Sequence, residues 1–353
     1  MEPVLHGNQV LRLPQWPALD RQLWQAGLAE GDILEGETYA AGLRPATLRN
    51  SARGYGRWLG VLAQLDPPAL HLPPADRVTP ARMRLLLEAL RRQGNTNNTI
   101  KARLWELRSA LRVMLPARDF RWISKPGGQP LAALLPTVRK PVRLVSIAEL
   151  ARWGHDLMEE GLAARPDRRR EAFRNGLLVA VLADRAPRLR SLASLRLGNG
   201  IRRHGPCYRL SFGAGQTKGG KHLEYDLHPS LTPRIERYLA VERPRLLGGQ
   251  NHDWFWVNRD GGRLDEVGID GMLRRASEER FGFVFGAHRF RYALATAGLL
   301  TNRTTAATVA AVLGNSSAVT EKYYAIGGQV EAARSLHDTL AAIRASTGEM
   351  CPP

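Results

Sequence analysis

At 353 residues the chain is longer than an ordinary single domain, so its length predicts two domains. A formal net charge of +18 and a pI near 10.8 favour a polyanionic partner, nucleic acid above all. No stretch reaches the ~18 apolar residues of a membrane-spanning helix and the N-terminus has no signal pattern, so we expect a cytoplasmic protein without a membrane partner. The two cysteines, Cys207 and Cys351, have neither CxxC nor zinc-like spacing, so the sequence predicts no disulfide framework and no metal site.

The N-terminal part of the chain begins with weak periodicity and then becomes helical. We interpret residues 1–37 as an N-terminal arm with a short helix around 19–28. From Pro45, apolar residues recur every three or four positions and predict a helix that ends before Pro67. The arm is given no function.

Two more helices are predicted before residue 123. Thr79 followed by Pro80 is typical of a helix start, and this second helix runs to Gly94. A third helix begins near Thr96 or Asn97. Together the three helices predict a helical domain over residues 38–123.

The third predicted helix carries two stripes at helical spacing. The apolar stripe consists of Ile100, Leu104, Leu107, Leu111 and Met114. The neighbouring stripe consists of Lys101, Trp105, Arg108 and Arg112. Its three cations are candidates for contacts with a DNA backbone. The alternative is an ordinary solvated face, because most charged stripes on helices are of that kind.

A second domain follows a segment rich in proline and glycine. We interpret residues 124–145 as the interdomain linker and 146–328 as the second domain. Ser146 and Glu149 form a capping-box pattern that starts a helical stretch to about Asp184.

The middle of the second domain contains the predicted β structure. Residues 207–212 and 222–227 alternate, and the Gly-rich stretch 213–220 between them predicts a hairpin. Residues 254–257 predict one more strand. The fold class is therefore mainly α with small β elements (α+β).

Five reactive groups occur in order along this domain: Arg188, Lys218, His288, Arg291 and one of the adjacent tyrosines 323 and 324. Together they supply what transesterification at a phosphodiester needs: cations for the nonbridging oxygens, a proton donor for the leaving alkoxide and an oxygen nucleophile. The spacing of three between His288 and Arg291 puts both side chains on one helix face. Any one of these residues alone is weak evidence, since the chain is rich in arginine.

Two arginine-containing segments resemble motifs of the tyrosine recombinases, also called phage integrases. HRFRYALAT at 288–296 is similar to the family pattern HxFRHxxAT. APRLRSLASLR at 186–196 resembles APxRLxxLxxLR. The second match implies that Arg188 is the first catalytic arginine, with Arg190 as the alternative.

Two further segments extend the resemblance. TKGGKHLEYDLHP at 217–229 is similar to the family's lysine hairpin and implies Lys218, with Lys221 as the alternative. LGNSSAVTEKYYA at 313–325 resembles LGHxSxxTTxxxY and implies Tyr324 as the nucleophile, with Tyr323 as the alternative.

The chain departs from the family pattern at two positions. Asn315 follows the LG pair where most members carry His or Trp, and an amide can donate a hydrogen bond to phosphate but cannot carry a proton charge. The acidic residue that usually follows the first arginine is absent, and Ser191 lies nearby instead.

The resemblance implies a C-shaped clamp in which a core-binding domain at 38–123 and a catalytic domain at 146–328 grip opposite sides of a DNA duplex. Residues 329–353 would form a C-terminal helix and tail, exchanged between protomers or folded back on their own domain. The implied partners are double-stranded DNA with paired recombination sites and, on DNA, a homo-tetramer, the free protein being a monomer or weak oligomer.

The implied reaction uses no metal, ATP or other cofactor. Tyr324 would attack the scissile phosphate to form a 3'-phosphotyrosyl link, Arg188, Arg291, His288 and Asn315 would hold the charge, and Lys218 would protonate the leaving 5' oxygen. The alternatives are a non-catalytic DNA-binding protein of the same fold and a type IB topoisomerase. A metal-dependent nuclease is disfavoured, because no acidic cluster has metal-ligand spacing.

Overall fold

The computed structural model describes residues 10–29, 38–137, 143, 145–163, 171–217, 220, 222–300 and 306–313. The chain divides into two compact units, Met1–Pro141 and Val142–Pro353. The described residues are mainly helical and include one three-stranded sheet, which confirms the predicted α+β class. Within these residues, no helix combines the length and apolarity that crossing a bilayer requires.

The first unit is helical throughout its described part. Its helices are α1 (Ala18–Leu28), α2 (Pro45–Leu65), α3 (Pro74–Arg77), α4 (Pro80–Arg92), α5 (Asn97–Met114), α6 (Arg121–Ser124) and α7 (Leu131–Leu134). As predicted, the Thr79 hydroxyl caps α4 by accepting from the Arg82 amide, and the Thr96 hydroxyl caps α5 by accepting from the Thr99 amide. The five residues of the predicted apolar stripe on α5 are all buried.

The core of the first unit extends beyond the predicted domain of residues 38–123. Trp16 and Trp24, which were assigned to an arm, are each 3% exposed and pack in this core. Leu131 and Leu135, which were assigned to the linker, are buried in the same core. Apolar side chains of the arm and linker segments therefore belong to the core of the first unit. Local periodicity did not predict this, because burial depends on partners elsewhere in the chain.

A buried ion pair joins α1 to α3 in the first unit. Arg77 donates to Asp20, and both side chains are almost completely excluded from solvent. The Tyr55 hydroxyl on α2 donates to Asp20 over 2.8 Å and accepts from Arg77 over 3.1 Å. Burial first, and then the Asp20 charge, raise the pKa of Tyr55 well above its usual value, so its hydroxyl stays protonated and remains a donor.

We expect Tyr55→Phe to lower the free energy of unfolding by about 1–3 kcal/mol, because the change leaves a buried carboxylate one hydrogen bond short. Tyr39→Phe is the matched control, since the Tyr39 ring is half-buried under the Arg112 guanidinium rather than in the ion pair; its effect should stay within about 0.5 kcal/mol. Urea unfolding of both variants measures the difference. Equal stability of the two would show that the tyrosine hydroxyl is dispensable to the pair.

The second unit combines helices with the small sheet. Its α-helices are α8 (Ile147–Ala163), α9 (Ala172–Arg185), α10 (Leu189–Ala193), α11 (Thr232–Arg237), α12 (Arg243–Leu247), α13 (Glu266–Phe281), α14 (His288–Leu300) and α15 (Ala306–Leu313). The predicted capping box starts α8: the Ser146 hydroxyl accepts from the Glu149 amide over 3.2 Å, and the Ser146 amide donates to the Glu149 carboxylate over 2.8 Å.

The sheet has strands β1 (Ile201–His204), β2 (Cys207–Phe212) and β3 (Leu223–Asp226) in antiparallel order β1-β2-β3. The β2–β3 hairpin confirms the prediction. β1 was missed, because three of its four residues are exposed and no alternation marks it. The strand predicted at 254–257 was wrong: Trp254 bridges Arg196 and Val257 bridges Arg263, so the segment has no single partner strand along which a ladder could form.

Helices α8 and α9 pack in close contact at three glycines, Gly154 and Gly161 on α8 and Gly176 on α9. A side-chain carbon at Gly154 would lie 2.8 Å from the Ala180 amide nitrogen, and one at Gly176 would lie 2.5 Å from the Met158 amide nitrogen. Any larger residue would push the helices apart, because the contacted atoms are backbone. This packing holds α9 in the core and thereby positions the turn at its C-terminal end.

Candidate active site

The turn after α9 has an unusual backbone. Ala186 is fully buried and adopts the left-handed conformation, with φ 44° and ψ 49°, immediately before Pro187. This region costs energy for a residue with a side chain, so the surrounding structure must hold it. The turn leads directly to Arg188, which occupies the N-cap position of α10 in an extended conformation.

Arg291 provides the contact that holds this turn. Its guanidinium is buried, with the residue only 3% exposed, and donates to the Ala186 carbonyl oxygen and to the Leu313 carbonyl oxygen over 2.6 Å each. Ala186 lies two positions before Arg188, and Leu313 lies two positions before Asn315. One guanidinium on α14 thus links the backbone near Arg188 to the backbone near Asn315. Its planar arrangement of N–H donors allows it to bind two carbonyl oxygens at once.

The two candidates for the first arginine differ in environment. Arg188 is half-buried, whereas Arg190 is exposed on α10. Arg188 and Arg291 both lie near enough to Tyr225 on β3 for their charges to lower its pKa, although burial is the larger influence and the pKa of Tyr225 is raised overall. Tyr225 therefore stays protonated at neutral pH, within electrostatic range of two guanidinium groups.

Tyr225 is a candidate site residue that the sequence pattern alone did not single out. Its ring packs edge-on against Phe212, with centroids 6.0 Å apart. Strand β3 is tied to the end of α9, because Arg185 Nε donates to the Asp226 carbonyl oxygen over 2.9 Å and the His228 amide donates to the Asp184 carboxylate over 3.0 Å. The only feature of the sequence that could have indicated Tyr225 was its place among the inward-facing positions of the predicted strand 222–227.

The other predicted site residues divide into two groups. His288 is described: it is exposed and is the first residue of α14, one helical turn before Arg291. The remaining candidates lie outside the described residues: Lys218, Lys221, Asn315, Tyr323, Tyr324 and the C-terminal segment 329–353. Their roles stay predictions.

The candidate DNA-contacting residues of the first unit lie along α5. Lys101 donates to the Thr137 hydroxyl over 2.9 Å and Arg112, which is exposed, stacks on the Tyr39 ring at 4.0 Å. Arg108 lies 5.1 Å from the Trp105 ring centroid, and that indole is 52% exposed. The face therefore combines cations with an exposed aromatic ring, a composition that suits a nucleic-acid surface.

One group of potential metal ligands occurs on the hairpin, within the part of the chain that the structure describes. Ligand atoms of His204, Cys207 and Asp226 lie within 4.8 Å of one another. Both oxygens of the Asp226 carboxylate already accept from Arg209, over 2.6 and 2.8 Å. The cluster is thus accounted for as an ion pair, and we assign no metal to it.

No protein-family model matches the sequence, and no curated protein matches it either. Solved structures do resemble the chain. The XerH site-specific recombinase bound to a palindromic difH substrate, in a post-cleavage complex, has a TM-score of 0.57 at 14% sequence identity and covers 91% of this chain and 94% of its own. Its pre-cleavage complex with difH has a TM-score of 0.55 at 15% identity, covering 90% and 88% respectively.

A transposon integrase is also similar in structure to this chain. The Tn1549 transposon integrase in complex with transposon right end DNA has a TM-score of 0.54 at 13% identity and covers 90% of this chain and 98% of the integrase chain. The coverage spans both units. The chain therefore has the tyrosine recombinase fold, as the motif resemblance implied.

Proposed function

We propose that the protein is a site-specific recombinase that breaks and rejoins DNA strands through a covalent 3'-phosphotyrosyl link. The observation that carries the proposal is the contact made by Arg291, which joins the turn before Arg188 to the end of α15 before Asn315. Arg291 and Ala186, which are 105 positions apart in the sequence, are thereby held in contact. In the proposed site, cationic donors would face the developing charge of a phosphodiester.

In the proposed cleavage step, the Tyr324 hydroxyl releases its proton to solvent as its oxygen forms a bond to phosphorus. The bond between phosphorus and the 5' oxygen breaks, and the leaving oxygen takes a proton from the Lys218 ammonium. Arg188, Arg291 and His288 stabilise the charge on the nonbridging oxygens, with Asn315 as a neutral donor. The link conserves the energy of the phosphodiester, so rejoining needs neither ATP nor a metal ion.

The charge of the chain suits double-stranded DNA as the substrate. In the proposed complex the two units grip the duplex as a clamp, and Lys101, Arg108 and Arg112 contact phosphates, which position the protein without reading sequence. Recombination joins two duplexes at paired sites, so we propose four protomers in the active complex. The segment after residue 329 would supply contacts between them.

The test of the function is covalent trapping. The protein is incubated with nicked suicide duplexes that carry its genomic flanking sequences, in EDTA, and an SDS-resistant adduct is sought and mapped. An adduct supports the recombinase chemistry. Tight binding without an adduct would favour a DNA-binding protein of the same fold, and an adduct accompanied by relaxation of supercoiled DNA without strand exchange would favour a topoisomerase.

We expect DNA to shield Trp105 if α5 faces the duplex. Five of the eight tryptophans, Trp16, Trp24, Trp58, Trp153 and Trp256, are at most 3% exposed, whereas Trp105 is 52% exposed. Adding duplex should therefore reduce acrylamide quenching of the wild-type protein, and Trp105→Phe should lose most of this reduction. An unchanged reduction in the variant would mean that α5 does not face DNA.

A further inference from the structure

The loop between β2 and β3 is fastened to α10 by three side chains, which we call the clasp: Ser191, Ser194 and Gln216. The Ser191 hydroxyl donates to the Gln216 carbonyl oxygen over 2.7 Å. The Gln216 side-chain amide donates to the Ser194 hydroxyl over 3.1 Å and to the Ser194 carbonyl oxygen over 3.4 Å. The clasp therefore joins the two elements through both backbone and side-chain contacts.

The clasp also shapes the loop itself. The Gln216 carboxamide oxygen accepts from the Gly213 amide over 2.9 Å, which closes the short 3-10 helix Ala214–Gln216. Thr217 is only 5% exposed, although a Gly-rich hairpin loop would ordinarily be solvated, and Ser191 on α10 is buried to the same extent. This part of the loop is thus held in one conformation against α10.

The clasp residues lie close in sequence to two of the proposed catalytic residues. Ser191 lies three residues after Arg188, and Gln216 lies two residues before Lys218. Two residues of chain span at most about 7 Å, so fixing Gln216 limits where Lys218 can reach. A general acid must lie within hydrogen-bond reach of the oxygen that it protonates, and small misplacements cost much of the rate.

We propose that the clasp is a positioning device for the general acid, holding the loop that leads to Lys218 against the helix that begins after Arg188. The inference rests on the proposed function. It also accounts for Ser191 at a place where the resembling family carries an acidic residue. A carboxylate only accepts hydrogen bonds, so it could not donate to the Gln216 carbonyl oxygen as the serine hydroxyl does.

The test uses substrates that differ in the leaving group. With oxygen at the 5' bridging position the departing alkoxide needs a proton. With sulfur there the departing thiolate leaves without one, because a thiol has a pKa near ~8.5, many units below that of an alcohol. A variant that misplaces Lys218 should therefore be slow on the oxygen substrate alone.

We expect Gln216→Ala to slow single-turnover cleavage of the oxygen substrate by about 10- to 100-fold and cleavage of the sulfur substrate by less than about 3-fold. Lys218→Ala should show the same pattern with a larger loss. Ser191→Ala should fall between wild type and Gln216→Ala. Ser230→Ala is the matched control, since this exposed serine pairs with His228 Nδ1 and should leave both rates unchanged.

Equal slowing of both substrates by Gln216→Ala, or no slowing of either, would overturn the positioning role. Should Gln216→Ala lower the melting temperature markedly, Gln216→Glu serves instead, because it keeps the acceptor for the Gly213 amide and removes the donor to Ser194. Failure of wild type to cleave either substrate would overturn the proposed function itself, whereas wild-type cleavage with unselective variants would overturn the clasp alone.

Discussion

Tyr324→Phe is expected to abolish the covalent protein-DNA adduct, a loss of about 1000-fold or more, while DNA affinity stays within about 3-fold of wild type. The change removes one oxygen, which in the proposed mechanism is the atom that attacks phosphorus. The aromatic ring remains. SDS gel electrophoresis after incubation with a nicked suicide duplex measures the adduct, and fluorescence anisotropy measures the affinity.

Tyr323→Phe is the matched control, because it removes the same atom from the neighbouring position. This variant should keep most of the adduct. The reverse pattern would assign the nucleophile to Tyr323, one position from the motif register. An adduct that survives in the double variant would contradict tyrosine chemistry at this motif altogether.

Arg291→Ala is expected to damage both stability and catalysis. Its guanidinium is buried and bonded to the Ala186 and Leu313 carbonyl oxygens, so truncation leaves two buried acceptors unpaired, at about 1–3 kcal/mol each. Adduct formation should fall by about 100- to 1000-fold beyond what unfolding explains, because the cation that we propose for stabilising the transition-state charge is lost. Thermal melting and single-turnover cleavage separate the two effects.

Two variants make this experiment decisive. Arg274→Ala removes an exposed arginine paired with Asp270 on α13, and the free energy of unfolding should change by no more than about 0.5 kcal/mol. Arg291→Lys keeps the positive charge but loses the planar fork, so we expect partial recovery of stability and little recovery of cleavage. A folded Arg291→Lys protein with wild-type cleavage would show that the charge alone suffices.

Periodicity and capping residues, which are local features of the sequence, were enough to predict most helices of the first unit and the β2–β3 hairpin. Thr79 and Thr96 predicted the starts of α4 and α5, because a capping side chain acts on amides three residues away. The segments assigned to the linker and the arm contain core residues that local signals do not mark. Leu131 and Trp24 are buried by distant partners, and nothing in their immediate sequence reports those partners.

The sequence by itself determined the order of the candidate residues and the class of chemistry that we propose for them. The net charge of +18 favours a polyanion, and the series Arg188, Lys218, His288, Arg291, Tyr324 would supply cations, an acid and a nucleophile.

The tertiary structure alone decided which of the described residues meet. Arg291 reaches the Ala186 and Leu313 carbonyl oxygens, Tyr225 lies near two arginines, and Ser191 holds the loop at Gln216. These contacts mostly pair a side chain with a backbone oxygen, which every residue possesses. No residue pattern can therefore encode the partner, and only the packed fold selects it.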